Sequence, residues 1–235
     1  MRVLASSSAG NAYVLEDDGR TLLLDAGIRY PDLQKALWHR VTALDGCLVT
    51  HEHGDHAKAV PQLMRAGVDV YASAGTLDAI GASGHRARTV RDQQPIDVGP
   101  WRVLPLQAVH DAREPLSYLV AGPTGKCLYV TDTAFCPYRF QGLTHVLIEA
   151  NFSDEILRRN VDNGSVDVHR AARTQRNHLS LARAIDLLRA NDMSGVEGVW
   201  LLHMSNENGD ADAFKAAVQV ACARPTYIAE ERATT

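Results

Sequence analysis

A short histidine-rich segment at residues 50–56 constrains this chain more than any other feature. It directly follows the apolar run 46–49, and it places three imidazoles and a carboxylate within six consecutive positions. The candidate ligands are His51, His53, Asp55 and His56. Zinc and related divalent ions accept such ligands, and a tight turn after a strand can aim several of them at one point. Because the chain has only ten histidines, this concentration favours a metal site over a solvated polar loop, and one such segment can serve two adjacent ions.

Length and composition predict one domain with a full hydrophobic core, because the chain has 235 residues of which 46% are hydrophobic. No run approaches the ~18 apolar residues that cross a bilayer, and the first segment lacks the layout of a signal peptide. We therefore predict a soluble, cytoplasmic protein without a membrane partner. The formal net charge of −4 argues against long non-specific tracking along DNA, since it provides no general attraction to phosphates.

The four cysteines occur singly, without a CxxC pair, at Cys47, Cys127, Cys136 and Cys222. This usage predicts buried packing thiols.

Strand and helix patterns alternate along the chain and predict a mixed, layered α and β fold. Strands are predicted at residues 3–5, 12–15, 21–24, 46–49, 68–72, 116–121, 127–131, 145–150, 198–202 and near Tyr227. Helices are predicted at residues 30–39, 57–65, 179–190 and 212–223. The polar segment 160–177 lacks strong apolar periodicity and is a candidate lid.

Three further polar residues stand directly after apolar strands. His110 follows the run 103–109, Asp132 follows 128–131, and His203 follows 199–202. A single histidine after a strand is more often a capping or core residue. Several strand ends with ligand chemistry in one chain, however, favour a common site.

This order of residues resembles the metallo-β-lactamase fold superfamily, in which an HxHxDH loop precedes a later His, a bridging Asp and a final His. The chain most resembles the YycJ branch, also called WalJ or VicX. The matching segments are SSSAGN at 6–11, HDAREP at 110–115, TDT at 131–133, EAN at 149–151 and HMSNEN at 203–208. That branch is similar to tRNase Z and to phage anti-Pycsar enzymes, which cleave phosphodiesters in precursor tRNA and in cyclic nucleotides. The resemblance implies an α/β (α+β) fold, an αββα sandwich of two mixed sheets covered by helices, as one domain over residues 1–235.

The resemblance also implies two divalent ions, zinc in the first place and manganese as the alternative. By this resemblance the ligands of one ion are His51, His53 and His110. The ligands of the other are Asp55, His56 and His203, and Asp132 bridges both. Relatives commonly form dimers, so a homodimer is implied as well.

Phosphodiesterase members of the superfamily share a Glu after a strand and a later His before a helix, for which this chain offers Glu149 and His178. A carboxylate that is hydrogen-bonded to an imidazole fixes the tautomer of the imidazole and raises its pKa, which prepares His178 to stabilise or protonate a leaving alkoxide. With Asp55, this pair makes up the predicted catalytic residues. The alternative is that Asn177 or His178 only starts the following helix. Asp25 resembles the acid that orients a ligating imidazole, although a plain turn acid after a strand is the competing interpretation.

The leading hypothesis is a binuclear metal-dependent phosphodiesterase that acts on nucleic acid, with DNA first and a cyclic nucleotide second. Phosphate contacts are predicted for three arginines of the candidate lid, which are Arg170, Arg173 and Arg176. The first alternative is a thioester or lactone hydrolase with the same metal loop, which has no need of the Glu149–His178 pair. The second is a non-catalytic, metal-bound regulatory protein, although structural zinc sites favour four closed ligands, often cysteines.

Overall fold

The computed structural model describes residues 1–229, and these divide into two compact units. The first unit comprises Met1–Gln107 and Ala112–Gly125, and the second comprises Ala108–Asp111 and Lys126–Ala229. The single domain expected over residues 1–235 stays a prediction.

Nine strands and four helices make up the first unit. The strands are β1 (Arg2–Ser7), β2 (Gly10–Asp17), β3 (Arg20–Leu24), β4 (Gly46–Leu48), β5 (Val70–Ala72), β6 (Ala87–Thr89), β7 (Ile96–Val98), β8 (Trp101–Gln107) and β9 (Leu116–Ala121). The helices are α1 (Tyr30–Ala36), α2 (Gly54–Ala57), α3 (Val60–Arg65) and α4 (Ala74–Ala79), with a 3-10 turn at Val41–Ala43. Strands β1 to β6 form a sheet in chain order, antiparallel from β1 to β3 and parallel from β3 to β6. Strands β7, β8 and β9 pair antiparallel.

The core of the first unit lies between its six-stranded sheet and its helices. Leu23, Cys47 and Val70 from three parallel strands are fully buried against helical residues such as Leu33 and Leu63. Burial of such side chains stabilises the fold by about 1.5–3 kcal/mol each. This packing gives the segments after β3 and β4 a rigid base.

The second unit is built on four parallel strands. They are β10 (Lys126–Val130), β11 (His145–Glu149), β12 (Gly198–Leu202) and β13 (Thr226–Ile228). Its helices are α5 (Asp154–Asp162), α6 (Val168–Asn177), α7 (Leu181–Arg189) and α8 (Ala211–Cys222). Strands β11 and β12 are buried along nearly their whole length, as expected for parallel strands that are covered on both faces.

The strands belong to two mixed sheets flanked by helices, so the predicted fold class is confirmed. The helix predicted at residues 57–65 is interrupted, because Pro61 lies in the first turn of a new helix, α3. The candidate lid segment contains α6, which Asp167 caps by accepting hydrogen bonds from the backbone N–H groups of His169 and Arg170. This helix buries only Ala171 and Asn177, which explains its weak apolar pattern.

All four cysteines are free and buried, as predicted. Within residues 1–229, no helix has the length and apolar character that crossing a membrane requires.

Candidate metal centre

The histidine-rich segment follows β4, which lies parallel to β3 with Leu24 opposite Leu48. Two parallel strands end at the same edge of a sheet, so Asp25 after β3 and the residues after β4 come together there. The Ala26 N–H donates to the His56 carbonyl at 2.7 Å, and the Ala59 N–H donates to the Ala26 carbonyl at 2.8 Å. These bonds fasten the segment to the turn that follows β3.

Asp25 orients His56 through a direct hydrogen bond. The carboxylate is fully buried, and its Oδ2 lies 2.7 Å from His56 Nδ1. Because an ionised carboxylate can only accept, Nδ1 carries the proton and Nε2 presents its lone pair. The Thr50 N–H donates to Asp25 Oδ1 at 2.8 Å. This geometry supports the orienting role predicted for Asp25.

His51 and His53 present nitrogens to each other, with His51 Nε2 only 3.0 Å from His53 Nδ1. Two nitrogens on one tetrahedral zinc, each ~2.0–2.1 Å from the ion, lie roughly 3.3 Å apart. Asp55 Oδ2 is 3.5 Å from His56 Nε2. The first unit therefore holds its four predicted ligands close to one another.

The second unit collects its candidates at the carboxyl ends of β10, β11 and β12. Glu149 is the last residue of β11, while Asp132 and His203 follow β10 and β12. His203 Nδ1 is 3.1 Å from both Asp132 Oδ1 and Glu149 Oε1. With His178, these residues offer four ligand atoms that lie within 4.8 Å of one another.

Three residues of the candidate site adopt a left-handed backbone within two residues of the ends of their strands. The φ angles are 56° at Asp25, 45° at Asp132 and 47° at His203. Non-glycine residues rarely adopt positive φ, and such strain persists where the surroundings over-determine it, often at functional sites. Asn151 holds one of these turns, because its buried amide donates to the His203 carbonyl at 2.8 Å.

Glu149 and His178 form the pair that the sequence predicts. His178 Nδ1 lies 2.7 Å from Glu149 Oε1, and the other carboxylate oxygen accepts from the Leu179 N–H at 2.9 Å. Helix α7 begins at Leu181 with Ser180 as its N-cap. The alternative that Asn177 or His178 caps this helix is therefore wrong.

His110 is held by a carbonyl instead of a carboxylate. Its Nδ1 donates to the Asn177 carbonyl at 2.9 Å, which leaves Nε2 as the ligand atom, 3.8 Å from Asp132 Oδ2. The end of helix α6 thus sets the tautomer of a predicted ligand.

Charges in the second unit shift several pKa values. Burial alone would lower the pKa of His203, but Asp132 and Glu149 raise it to about 10. Burial also works against the charged form of His178, and the charge and hydrogen bond of Glu149 outweigh it and raise its pKa. Burial would raise the pKa of Glu149, yet His178 and His203 hold it below its ordinary value. Burial lowers the pKa of His110.

The donor set of the second unit suits a cation. Asp132 and Glu149 are 3% and 0% exposed, and two buried carboxylates at one strand edge need positive charge nearby. The pKa of His203 is raised for the same reason, because the two carboxylates favour a positive charge beside them. A divalent ion bound by oxygen and imidazole ligands also supplies that charge. The residues present therefore fit a divalent metal.

Two of the three predicted phosphate-binding arginines form ion pairs on the surface. Arg170 pairs with Glu207 at 2.8 Å, and Arg173 pairs with Asp111 at 2.8 Å. Arg176 lies in the last turn of α6. The phosphate role of all three stays a prediction.

Thr50 and Asn11, which the sequence analysis did not single out, hold predicted ligands in place. Thr50 Oγ1 lies 3.0 Å from both Asp25 Oδ2 and His51 Nδ1. Asn11 Nδ2 lies 3.1 Å from His56 Nε2. Both residues stand in segments that carried a signal, Thr50 directly before His51 and Asn11 in the SSSAGN match, but Asp25 and His56, which they contact, are distant in sequence.

The fold and these two groups of side chains define a protein of the metallo-β-lactamase type. A family model described as the beta-lactamase superfamily domain matches residues 20–204, so the chain belongs to this superfamily. Exodeoxyribonuclease WalJ of Streptococcus pneumoniae is 30% identical over 223 residues, which cover 88% of this chain and 81% of that protein. Exodeoxyribonuclease YycJ of Bacillus anthracis is 32% identical over 172 residues, 66% of this chain and 64% of that protein. The predicted resemblance is confirmed.

Among solved structures, the metallo-β-lactamase fold protein YhfI of Bacillus subtilis has a TM-score of 0.72 at 16% identity. The match covers 98% of this chain and 96% of that chain. At this identity the likeness shows the fold alone.

Proposed function

We propose that this chain is a metal-dependent phosphodiesterase that cleaves DNA from an end. The observation that carries the proposal is the buried Glu149 bonded to His178, beside Asp132 and His203 at one strand edge. Such a pair supplies a general acid, which hydrolysis of a phosphodiester with a poor leaving group needs. The names of the two exodeoxyribonuclease relatives support DNA as the substrate.

Two divalent ions belong to the proposal, with zinc preferred and manganese as the alternative. Family resemblance assigns them the seven ligands His51, His53, Asp55, His56, His110, Asp132 and His203. When bound, divalent ions lower the pKa of water and neutralise charge on the phosphate oxygens. A cytoplasmic location and a homodimer also belong to the proposal and stay predictions.

The chain's own residues then complete the reaction. Glu149 accepts a hydrogen bond from the Nδ1–H of His178 and so orients the ring, with Nε2 facing the leaving oxygen. Because its pKa is raised, more of His178 is protonated at a given pH than of an exposed histidine. His178 is therefore the proton donor to the departing alkoxide.

Removal of Asp132 tests the metal requirement. We expect purified protein to hydrolyse bis-p-nitrophenyl phosphate with manganese or zinc, to lose this activity to a chelator, and to lose it permanently in Asp132→Ala. The matched control is Asp162→Ala, an exposed acid at the end of α5 in the same unit. Full activity in Asp132→Ala would sink the proposal.

The proton-donor role of His178 has a sharper test in the leaving group. A p-nitrophenolate leaves without a proton, whereas the alkoxide of an oligodeoxynucleotide needs one. We expect His178→Ala to lower kcat on the oligonucleotide by about 10²–10⁴-fold and to spare the nitrophenyl ester by comparison. Equal losses on both substrates would contradict this role and leave the metal requirement standing.

A further inference from the structure

A cavity of about 330 Å³ opens in the second unit beside the Glu149–His178 pair. One wall is formed by residues 135–139 and the other by residues of α7 together with Leu179. This volume lies in the range of ligand pockets, which begins at about 300 Å³.

The chain segments that form the two walls are both hydrogen-bonded, at or near the cavity, to one carboxylate. Glu149 Oε2 accepts from the Thr133 N–H at 3.3 Å and from the Leu179 N–H at 2.9 Å. Phe135 comes two residues after Thr133, and Leu179 directly follows His178. The cavity therefore reaches Leu179, which directly follows His178 in the chain and is hydrogen-bonded to Glu149.

The rim of the cavity combines an exposed aromatic ring with two guanidinium groups. The side chain of Phe135 is 56% exposed. Arg183 Nη1 donates to the Ala134 carbonyl at 2.8 Å, and Arg139 Nη1 donates to the Ala190 carbonyl at 2.6 Å. Bonds to neutral carbonyls fix these arginines but leave their positive charge in place, in contrast to the ion-paired Arg170 and Arg173.

We propose that this cavity receives a nucleoside of the DNA strand that adjoins the cleaved phosphodiester. The inference rests on the proposed function and names the part of the substrate that is bound. The base stacks on Phe135, as bases stack on aromatic side chains in single-strand binding sites, and Arg139 and Arg183 meet the adjoining phosphate. Asp186 also lines the cavity. Its carboxylate can accept a hydrogen bond from a base amino group, but it repels a phosphate. The base, and not the phosphate, therefore lies inside the cavity.

Variants of Phe135 test the stacking. We expect Phe135→Ala to lower kcat/KM on a short single-stranded oligodeoxynucleotide by roughly 5- to 150-fold, and by much less on bis-p-nitrophenyl phosphate, which has no base. Phe135→Trp should recover most of the loss. Tyr227→Ala, which removes another exposed aromatic of the same unit, is the matched control.

An abasic nucleotide, moved through the terminal positions of the oligonucleotide, separates stacking from a structural effect. At one position it should slow the unaltered protein by a similar factor and slow Phe135→Ala no further. Equal penalties in both proteins at every position would overturn the inference.

Binding distinguishes failure of the inference from failure of the proposed function. If no phosphodiester is hydrolysed, fluorescence anisotropy of a labelled oligonucleotide with the metal-loaded protein still measures the cavity. Weaker binding by Phe135→Ala, restored in Phe135→Trp, then supports a base pocket without nuclease activity. Hydrolysis of DNA with identical rates for all three proteins refutes the base pocket alone.

Discussion

At Gly27 the backbone leaves no room for a side chain. A Cβ there would lie 1.6 Å from the Asp55 carbonyl oxygen and 2.8 Å from the Asn11 backbone nitrogen. The contact is to backbone, so the loop that carries the predicted ligands would have to move. Because Gly27 has no side chain, the loop that contains His53, Asp55 and His56 can lie this close to it.

We therefore expect Gly27→Ala to destabilise the fold by at least about 1–3 kcal/mol and to reduce bound metal. Thermal unfolding and metal content measured on the same sample check this. Gly54→Ala is the matched control for stability, because a Cβ at Gly54 meets open space. An alanine at position 27 with unchanged stability and metal content would show that the loop does not depend on this close approach.

Ion pairs connect some elements of the first unit directly. Asp69 precedes β5, and it binds Arg86 at 2.6 Å and Arg88 at 2.9 Å, at the start of β6. Burial would raise the pKa of Asp69, but the hydrogen bonds and charges of both arginines outweigh it and hold the pKa below its ordinary value of 3.8.

The sign of this shift fixes a pH dependence. A carboxyl whose pKa is lower in the folded chain stabilises the fold above its ordinary pKa, and this contribution is lost as pH falls through the folded value. We expect Asp69→Asn to lower the free energy of unfolding at pH 7, with the difference from the unaltered protein shrinking below pH 3.8. Urea unfolding at pH 7 and below pH 3.8 measures this difference in the free energy of unfolding, with the exposed Asp162→Asn as control. A difference that persists undiminished in acid would refute the ionic origin.

Most strands were predictable from sequence because they are short apolar runs, and several of them are followed by a polar residue of the candidate site. In β10, β11 and β12, the polar residues Asp132, Glu149 and His203 indicate where the strands end. Helix α6 was not predictable, since it is stabilised by an N-cap and by few buried residues. Its function in setting the tautomer of His110 depends on a backbone carbonyl, which has no signature in sequence.

The same limit applies to the candidate site. Metal-binding side chains have a distinct chemistry that spacing can reveal, whereas Thr50 contacts Asp25, and Asn11 contacts His56, only because the fold brings them close. The cavity lined by Phe135 shows the limit most clearly, because the sequence does not indicate that this phenylalanine shares a cavity with Arg139 and Arg183.

At the scale of the whole molecule, a formal net charge of −4 provides little general attraction to a nucleic acid. The local guanidinium groups and the proposed ions must then supply the attraction. We expect the salt dependence of DNA binding to be shallow, with fewer phosphate contacts than long-tracking proteins make. Anisotropy titrations across a range of salt concentrations measure this slope, and a steep slope typical of many phosphate contacts would contradict it.

We have proposed that this superfamily member hydrolyses DNA with bound divalent ions. The most direct measurement incubates purified protein, with its metal content determined, with end-labelled single-stranded DNA, RNA, cyclic mononucleotides and a thioester. We expect two divalent ions per chain and stepwise shortening of the DNA from one end. Two bound ions with hydrolysis of the thioester, and no cleavage of any phosphodiester, would contradict it.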